Sequence, residues 1–140
     1  MRTCIFCEIV AGTAPATTVY EDADVLAFLD IRPITRGHTL VIPKTHADEL
    51  HDLDPDLGAK VFRVGHNLAM SIRRSGLAAD GANLVINDGK SAFQTVPHVH
   101  LHVIPRHNGD VLRFAKGFVL RRAKDPEATA AAIKAGLSTS

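Results

Sequence analysis

The sequence predicts an α+β fold, with an antiparallel sheet of about five strands and one long helix on a face. Three observations predict it. Short β-rich runs occur in hairpin order with turn residues between them. One long stretch, residues 55–75, repeats its apolar residues at helical spacing. The strand–helix alternation of a parallel nucleotide fold is missing, and so is a Gly-rich phosphate loop of the G-x-G-x-x-G or G-x-x-x-x-G-K type.

Residues 4–11 form a short helix or turn, ended by Gly12 and Pro15. Thr17–Glu21 and Val25–Leu29 flank the turn Glu21-Asp22-Ala23-Asp24 and make a hairpin. Ile31 to Gly37 is a loop, and His38–Pro43 is a third strand centred on Thr39-Leu40-Val41-Ile42. The long helix opens with Asp54 as N-cap and Pro55 in its first position. Leu57, Val61, Val64, Leu68 and Ile72 make its apolar stripe. Arg73 and Arg74 suit its last turn, and Gly76 stands as the C′ residue. Ala82–Asn87 is a strand that runs into Asn87-Asp88-Gly89. A last strand spans Val96 to Ile104 and is stopped by Pro105. Asp125-Pro126-Glu127 opens a tail helix toward Gly136, expected at the periphery because Ile133 and Leu137 are its few large apolar residues. A length of 140 residues suits one domain, 1–140, with its core at about 4–110 and the tail helix at about 126–136.

The charge balance excludes several classes. Acids and bases are interspersed and the formal charge is +1, which predicts neither a nucleic-acid stripe nor a membrane-surface patch. No apolar run approaches the ~18 residues of a spanning helix. The start, Met1 to Glu8, lacks the apolar region of a signal peptide, so a cytoplasmic location is expected. Two cysteines three apart are no disulfide framework for a secreted fold.

His98-Val99-His100-Leu101-His102 is the chemical centre of the sequence. In a strand, alternate side chains share a face, so the three imidazoles line up opposite Val99, Leu101 and Val103. Neighbouring rings would stand roughly 6–7 Å apart along the strand. A core would favour Val or Ile at these positions, so the row needs a chemical reason. Exposed histidines without a role are one reading. A shared metal is a second, weakened by the ~13 Å between the outer two on a straight strand. The third is nucleophilic catalysis, in which one imidazole attacks a phosphorus or acyl centre and its neighbours orient it.

The run Gln94-Thr95-Val96-Pro97-His98-Val99-His100-Leu101-His102-Val103-Ile104-Pro105 resembles the signature of the histidine triad nucleotide-binding family. Four further blocks resemble bacterial members in the family order: Cys4-Ile5-Phe6-Cys7, Ala27-Phe28-Leu29-Asp30-Ile31, Gly37 through His46, and Ile86-Asn87-Asp88-Gly89. The likeness spans residues 4–107 and adds little beyond about residue 110. It implies a single HIT domain, a homodimer with sheets joined across a two-fold, and a purine nucleotide such as AMP as ligand.

The resemblance also implies roles. His100 would be the nucleophile at the α-phosphate, forming a nucleotidyl-histidine that water resolves. Its second ring nitrogen must then hold its proton against an acceptor, expected to be a backbone carbonyl near His98. His102, Gln94 and Thr95 would hold the phosphate and aid the leaving group, with Asn87 also in reach. Asp30 would accept the ribose hydroxyls, although a turn aspartate before Pro33 explains it as well. Phe6, Ile9, Phe28, Ile31 and Val96 would surround the nucleotide, although ordinary core explains the apolar ones equally. His38 is expected to be structural, behind the site. His51, His66 and His107 read as surface residues.

Cys4-x-x-Cys7 lacks the strand–helix context of a redox pair, and alone it is too weak a zinc signal. Together with His46 and His98 it resembles the Cys2His2 zinc set of some bacterial triad proteins. Such a closed tetrahedral site is structural. Two buried reduced thiols remain the alternative. One branch of the family hydrolyses nucleoside phosphoramidates, and the Cys4–Cys7 and Pro43-Lys44-Thr45-His46 blocks favour it. The fragile histidine triad branch cleaves dinucleoside polyphosphates, and Gln94-Thr95-Val96 with Pro105-Arg106 and Gly109-Asp110 echo it. His102 argues against the uridylyl transferases, which carry glutamine there. The expectation is a phosphoramidase-type hydrolase. The alternatives are a dinucleoside polyphosphate hydrolase, or a regulatory nucleotide-binding module with incidental activity.

Overall fold

A five-stranded antiparallel sheet carries the molecule, in the order β1-β2-β3-β5-β4. A computed structural model describes residues 3–137. The chain runs α1 (Ile5–Ala11), β1 (Thr18–Glu21), β2 (Val25–Leu29), β3 (Thr39–Pro43), α2 (Pro55–Arg74), β4 (Gly81–Ile86), β5 (Leu101–Arg106), α3 (Val111–Gly117) and α4 (Pro126–Leu137). This is the expected α+β architecture, with the 20-residue α2 packed on one face.

The β1–β2 turn is held by Asp22, whose Oδ1 accepts from the amides of Asp24 and Val25. Every residue of β2 and β3 is buried, since the two strands have covered faces on both sides. On one face Val25, Ala27, Leu29, Val41, Leu101 and Val103 meet Val61, Val64, Leu68 and Ile72 of α2. On the other, Leu26, Phe28, Leu40 and Ile42 meet Cys4 and Phe6 of the N-terminal segment.

The long helix begins as expected, with the Asp54 side chain accepting from Asp56 N. Its end differs. Ser75 caps it, and the left-handed turn falls at Ala78, φ 47°, rather than at Gly76.

The last strand starts later and ends later than expected. Residues 96–100 are irregular, and β5 opens at Leu101. Its pairing with β3 covers only Leu101 to Val103, because the chain before it turns toward the N-terminal segment. Pro105 does not stop the strand: it pairs opposite Ala82 of β4, where β3 has already run out on the other side.

The tail helix is not peripheral. Thr129, Ala130, Ile133 and Gly136 of α4 are buried against α2, and Ile133 is fully enclosed in the main core. The short α3 was not expected from the sequence. Arg106 anchors its start, gripping Asp110 with two hydrogen bonds of 2.9 and 2.7 Å and stacking 3.7 Å over the Phe114 ring.

Candidate active site and metal cluster

The irregular segment before β5 places the histidines. His98 Nε2 donates to the Pro43 carbonyl at 2.8 Å, which leaves Nδ1 as a bare lone pair. That nitrogen lies 3.4 Å from Cys4 Sγ, 3.6 Å from Cys7 Sγ and 3.2 Å from His46 Nδ1. His46 repeats the arrangement. Its Nε2 donates to the Asp48 carboxylate at 2.5 Å, and its Nδ1 lies 3.2 Å from Cys7 Sγ.

A tetrahedral ion with bonds of about 2.0–2.1 Å to nitrogen and 2.3 Å to sulfur separates its donors by roughly 3.3–3.8 Å. The Cys4, Cys7, His46 and His98 donor atoms all lie within 4.8 Å of one another, and the four contacts above nearly match that tetrahedron. Two imidazole lone pairs facing each other at 3.2 Å repel unless a proton or a cation lies between them. Burial and the Cys4 thiol push the Cys7 thiol up to about 11, a bias that a bound cation reverses. The four residues form a metal-binding cluster of Cys2His2 type.

His100 points into a cavity of about 510 Å³ above the sheet. Its Nδ1 donates to the His98 carbonyl at 2.8 Å, so the neutral ring keeps its proton there and leaves Nε2 unprotonated. Burial holds His100 below the ordinary 6.5 of an imidazole, against the opposing pull of the His98 carbonyl and the Asp30 charge. Phe6 walls the ring, edge-on at 5.2 Å, and also meets His98 at 5.8 Å and Phe28 at 5.5 Å.

His102 is the first to sit on β5 proper, with its ring centroid 4.9 Å from that of His100. His38 fixes its tautomer. His38 Nδ1 accepts from Ile34 N at 3.0 Å, so its proton is on Nε2, which donates to His102 Nδ1 at 2.9 Å. His102 therefore carries its own proton on Nε2. Burial, with the charges of His100 and His38, lowers His102 to about 4. Burial, then Arg121, lowers the enclosed His38 to about 3. Asp30, His38 and His102 also cluster at metal-ligand distances. Because both His38 nitrogens are occupied by hydrogen bonds, an ion there would require an imidazolate, and the cluster is a hydrogen-bond relay.

Of the residues expected around a nucleotide, Phe6, Ile9, Phe28, Asp30, Ile31, Thr95, Val96, His100 and His102 line the cavity together. Asp30 also accepts the turn hydrogen bond from Arg32 N at 2.8 Å, the turn role expected of it. Gln94 and Asn87 do not line it. The Gln94 amide is spent on Gly89 N, Asp48 O and Val96 O, tying the loop after β4 to the metal-bearing loop.

His38 is structural behind the site, as expected. His51 and His66 are exposed, whereas His107 is half-buried and hydrogen-bonds the Leu77 carbonyl at 2.8 Å, which corrects its surface assignment. Sequence reasoning missed Ile5, Leu40 and Arg121 in the lining. For Arg121 no local signal existed, since its partner, the Arg32 carbonyl, lies 89 residues away.

An imidazole with a fixed tautomer, a second neutral imidazole beside it and a carboxylate in the same lining define a histidine-triad active site, on a sheet-and-helix scaffold with its own metal cluster. Residues 11–109 match the HIT domain. The chain belongs to the HIT family. A Zn-bound histidine triad family protein from Mycobacterium smegmatis superposes with a TM-score of 0.90 at 54% identity, covering 97% of this chain and 94% of that one. A HIT-like protein of Mycobacterium tuberculosis is 52% identical over 96% of this chain and 93% of its own. An adenosine 5'-monophosphoramidase of Schizosaccharomyces pombe is 41% identical over 75% of each chain.

Proposed function

We propose that the protein is a nucleotide-binding hydrolase that cleaves nucleoside phosphoramidates, such as adenosine 5'-phosphoramidate, through a nucleotidyl-His100 intermediate. The observation that carries this is the hydrogen bond from His100 Nδ1 to the His98 carbonyl, which leaves Nε2 bare at the wall of a nucleotide-sized cavity. The phosphoramidase activity of the fission yeast relative supports the choice of substrate.

In this reading the base lies among Phe6, Ile9, Phe28 and Ile31, and Asp30 accepts from the ribose. Nε2 of His100 forms a bond to the α-phosphorus as the phosphorus–nitrogen bond breaks, and the amine leaves with a proton taken from water. His102 Nε2–H and the Thr95 hydroxyl donate to the nonbridging oxygens, where charge develops. Water then attacks phosphorus, expels His100 as the neutral imidazole and releases the nucleoside monophosphate.

The Cys4, Cys7, His46 and His98 cluster is proposed to hold a structural zinc, which when bound clamps the N-terminal segment to the sheet. The Zn-bound mycobacterial relative supports that choice of metal. Two thiols serving as ligands suit a reducing compartment such as the cytoplasm. Among the described residues no helix is long and apolar enough to cross a membrane. A homodimer through the β4 edge is supported by Val85 and Ile86, which that edge strand leaves 41% and 37% exposed.

The test is turnover of adenosine 5'-phosphoramidate beside a diadenosine polyphosphate, for wild type and His100→Ala. The expected result is preference for the phosphoramidate, at least a ~10³-fold loss in the variant, and retained AMP binding. Preference for the polyphosphate would replace this reading with the other hydrolase. Negligible turnover of both would leave a binding module.

A further inference from the structure

Arg121 lines the same cavity as His100 and His102, although it lies beyond residue 109, where the HIT domain match ends. It arrives on the irregular stretch between α3 and α4. The guanidinium is clipped in place by one bond, Nε to the Arg32 carbonyl at 3.0 Å. Its two terminal nitrogens find no hydrogen-bond or ion-pair partner among the described residues.

The charge inventory of the cavity gives that orphaned fork a purpose. The lining holds one carboxylate, Asp30, and two imidazoles, His100 and His102, that burial keeps neutral. A phosphate ester brings further negative charge into this half-buried space. Neutral donors satisfy its oxygens without offsetting that charge. Arg32 and Arg121 are the two fixed cations of the lining; Arg32 is exposed, whereas Arg121 is half-buried.

We propose that Arg121 is a phosphate-binding residue of this cavity, so that the site takes a nucleotide in preference to the corresponding nucleoside. The proposal rests on the nucleotide reading of the cavity and goes beyond it by naming the source of charge compensation. The positive charge of Arg121 reaches His38 and His102, the residues behind and beside the nucleophile. Arg121 shares one cavity lining with both imidazoles, His100 and His102. With Nε spent on Arg32, the terminal nitrogens are left as a fork that matches two phosphate oxygens.

Calorimetric titration with AMP and with adenosine tests this. Wild type is expected to bind both. Arg121→Gln should weaken AMP by about tenfold or more while changing adenosine by less than about twofold. Arg121→Lys should recover part of the AMP affinity, because it restores charge without the fork. Arg122→Gln, one residue along on the exposed face, should leave AMP binding unchanged. Unchanged AMP affinity in Arg121→Gln would overturn the proposal. Equal losses for AMP and adenosine would also overturn it, by making the residue a prop for the cavity wall. An Arg122→Gln loss as large as that of Arg121→Gln would reduce the effect to diffuse surface charge and overturn it too. Binding of neither ligand by wild type would bring down the nucleotide reading itself, and this inference with it.

Discussion

The main-chain carbonyl of His98 accepts the Nδ1 proton of His100 at 2.8 Å, while the ring of the same His98 reaches Cys4 at 3.4 Å. One residue therefore faces both the metal cluster and His100. Whatever fixes the His98 ring also fixes the carbonyl that sets the tautomer of His100. The neighbouring main chain adds a second tie, with Val99 N donating to Ala47 O, one residue past the His46 ligand.

Metal removal should accordingly loosen the active-site segment as well as the N-terminus. Elemental analysis is expected to find one zinc per chain. Chelation should lower the melting temperature by about 5 °C or more, because a ligand held only by the folded state stabilises it. Cys4→Ala should melt at a similarly reduced temperature and lose its response to the chelator. Unchanged melting with no metal found would remove the cluster's structural role.

The parts of this architecture that depend on local pattern were legible in the sequence. The stripe from Leu57 to Ile72 predicts α2, and the Asp22 turn predicts the first hairpin, since each is written in neighbouring residues. The alternation of His98, His100 and His102 predicts a strand, but only His102 is in one. The pull on His98 comes from Cys4, 94 residues away, and strand periodicity carries no trace of it. The tail helix shows the same limit. Its composition suggests a peripheral element, yet one isoleucine, Ile133, and the small Ala130 and Gly136 let it press closely on α2. Much of the cavity lining was legible because Phe28, Asp30 and Ile31, and Thr95 to His102, cluster in short blocks, whereas Arg121 enters the cavity by tertiary packing alone.

That close approach of α4 to α2 makes Gly136 a test of the packing. A β-carbon there would lie 2.6 Å from the Ser71 carbonyl oxygen, a main-chain atom that cannot swing aside. Ser71 Oγ is already engaged with the Ile133 carbonyl at 2.6 Å. Gly136→Ala should destabilise the chain by about 1–3 kcal/mol in urea unfolding. Gly76→Ala, where a β-carbon meets nothing within 4 Å, should be neutral or slightly stabilising. Equal stabilities for the two variants would mean that α4 docks less tightly than these distances require.

The β4 edge offers a test of assembly. Val85 pairs opposite His102 within the sheet and is 41% exposed on an edge strand. Val85→Lys should halve the mass seen by sedimentation while leaving the circular dichroism spectrum unchanged, since a lysine on a free edge is tolerated and one inside a joint is not. A mass unaffected by the substitution would exclude β4 as the joint.

The His38–His102 pair makes stability depend on pH in a direction that follows from its burial. Burial holds His38 at about 3 and His102 at about 4, while the unfolded chain protonates both near 6.5. Below pH 6.5 the unfolded state therefore binds protons that the folded state refuses. The stability contributed by the neutral pair is complete above that point and is lost as the pH falls toward about 4 for His102 and about 3 for His38. Over that window each group costs about 1.4 kcal/mol per pH unit. Urea unfolding between pH 7 and pH 4.5 should show this decline. His38→Asn keeps an acceptor for Ile34 N and removes one titrating ring. Its decline should be shallower by about one proton. A slope identical to that of wild type would mean that His38 is not held neutral in the fold, and the tautomer assigned to His102 would lose its anchor.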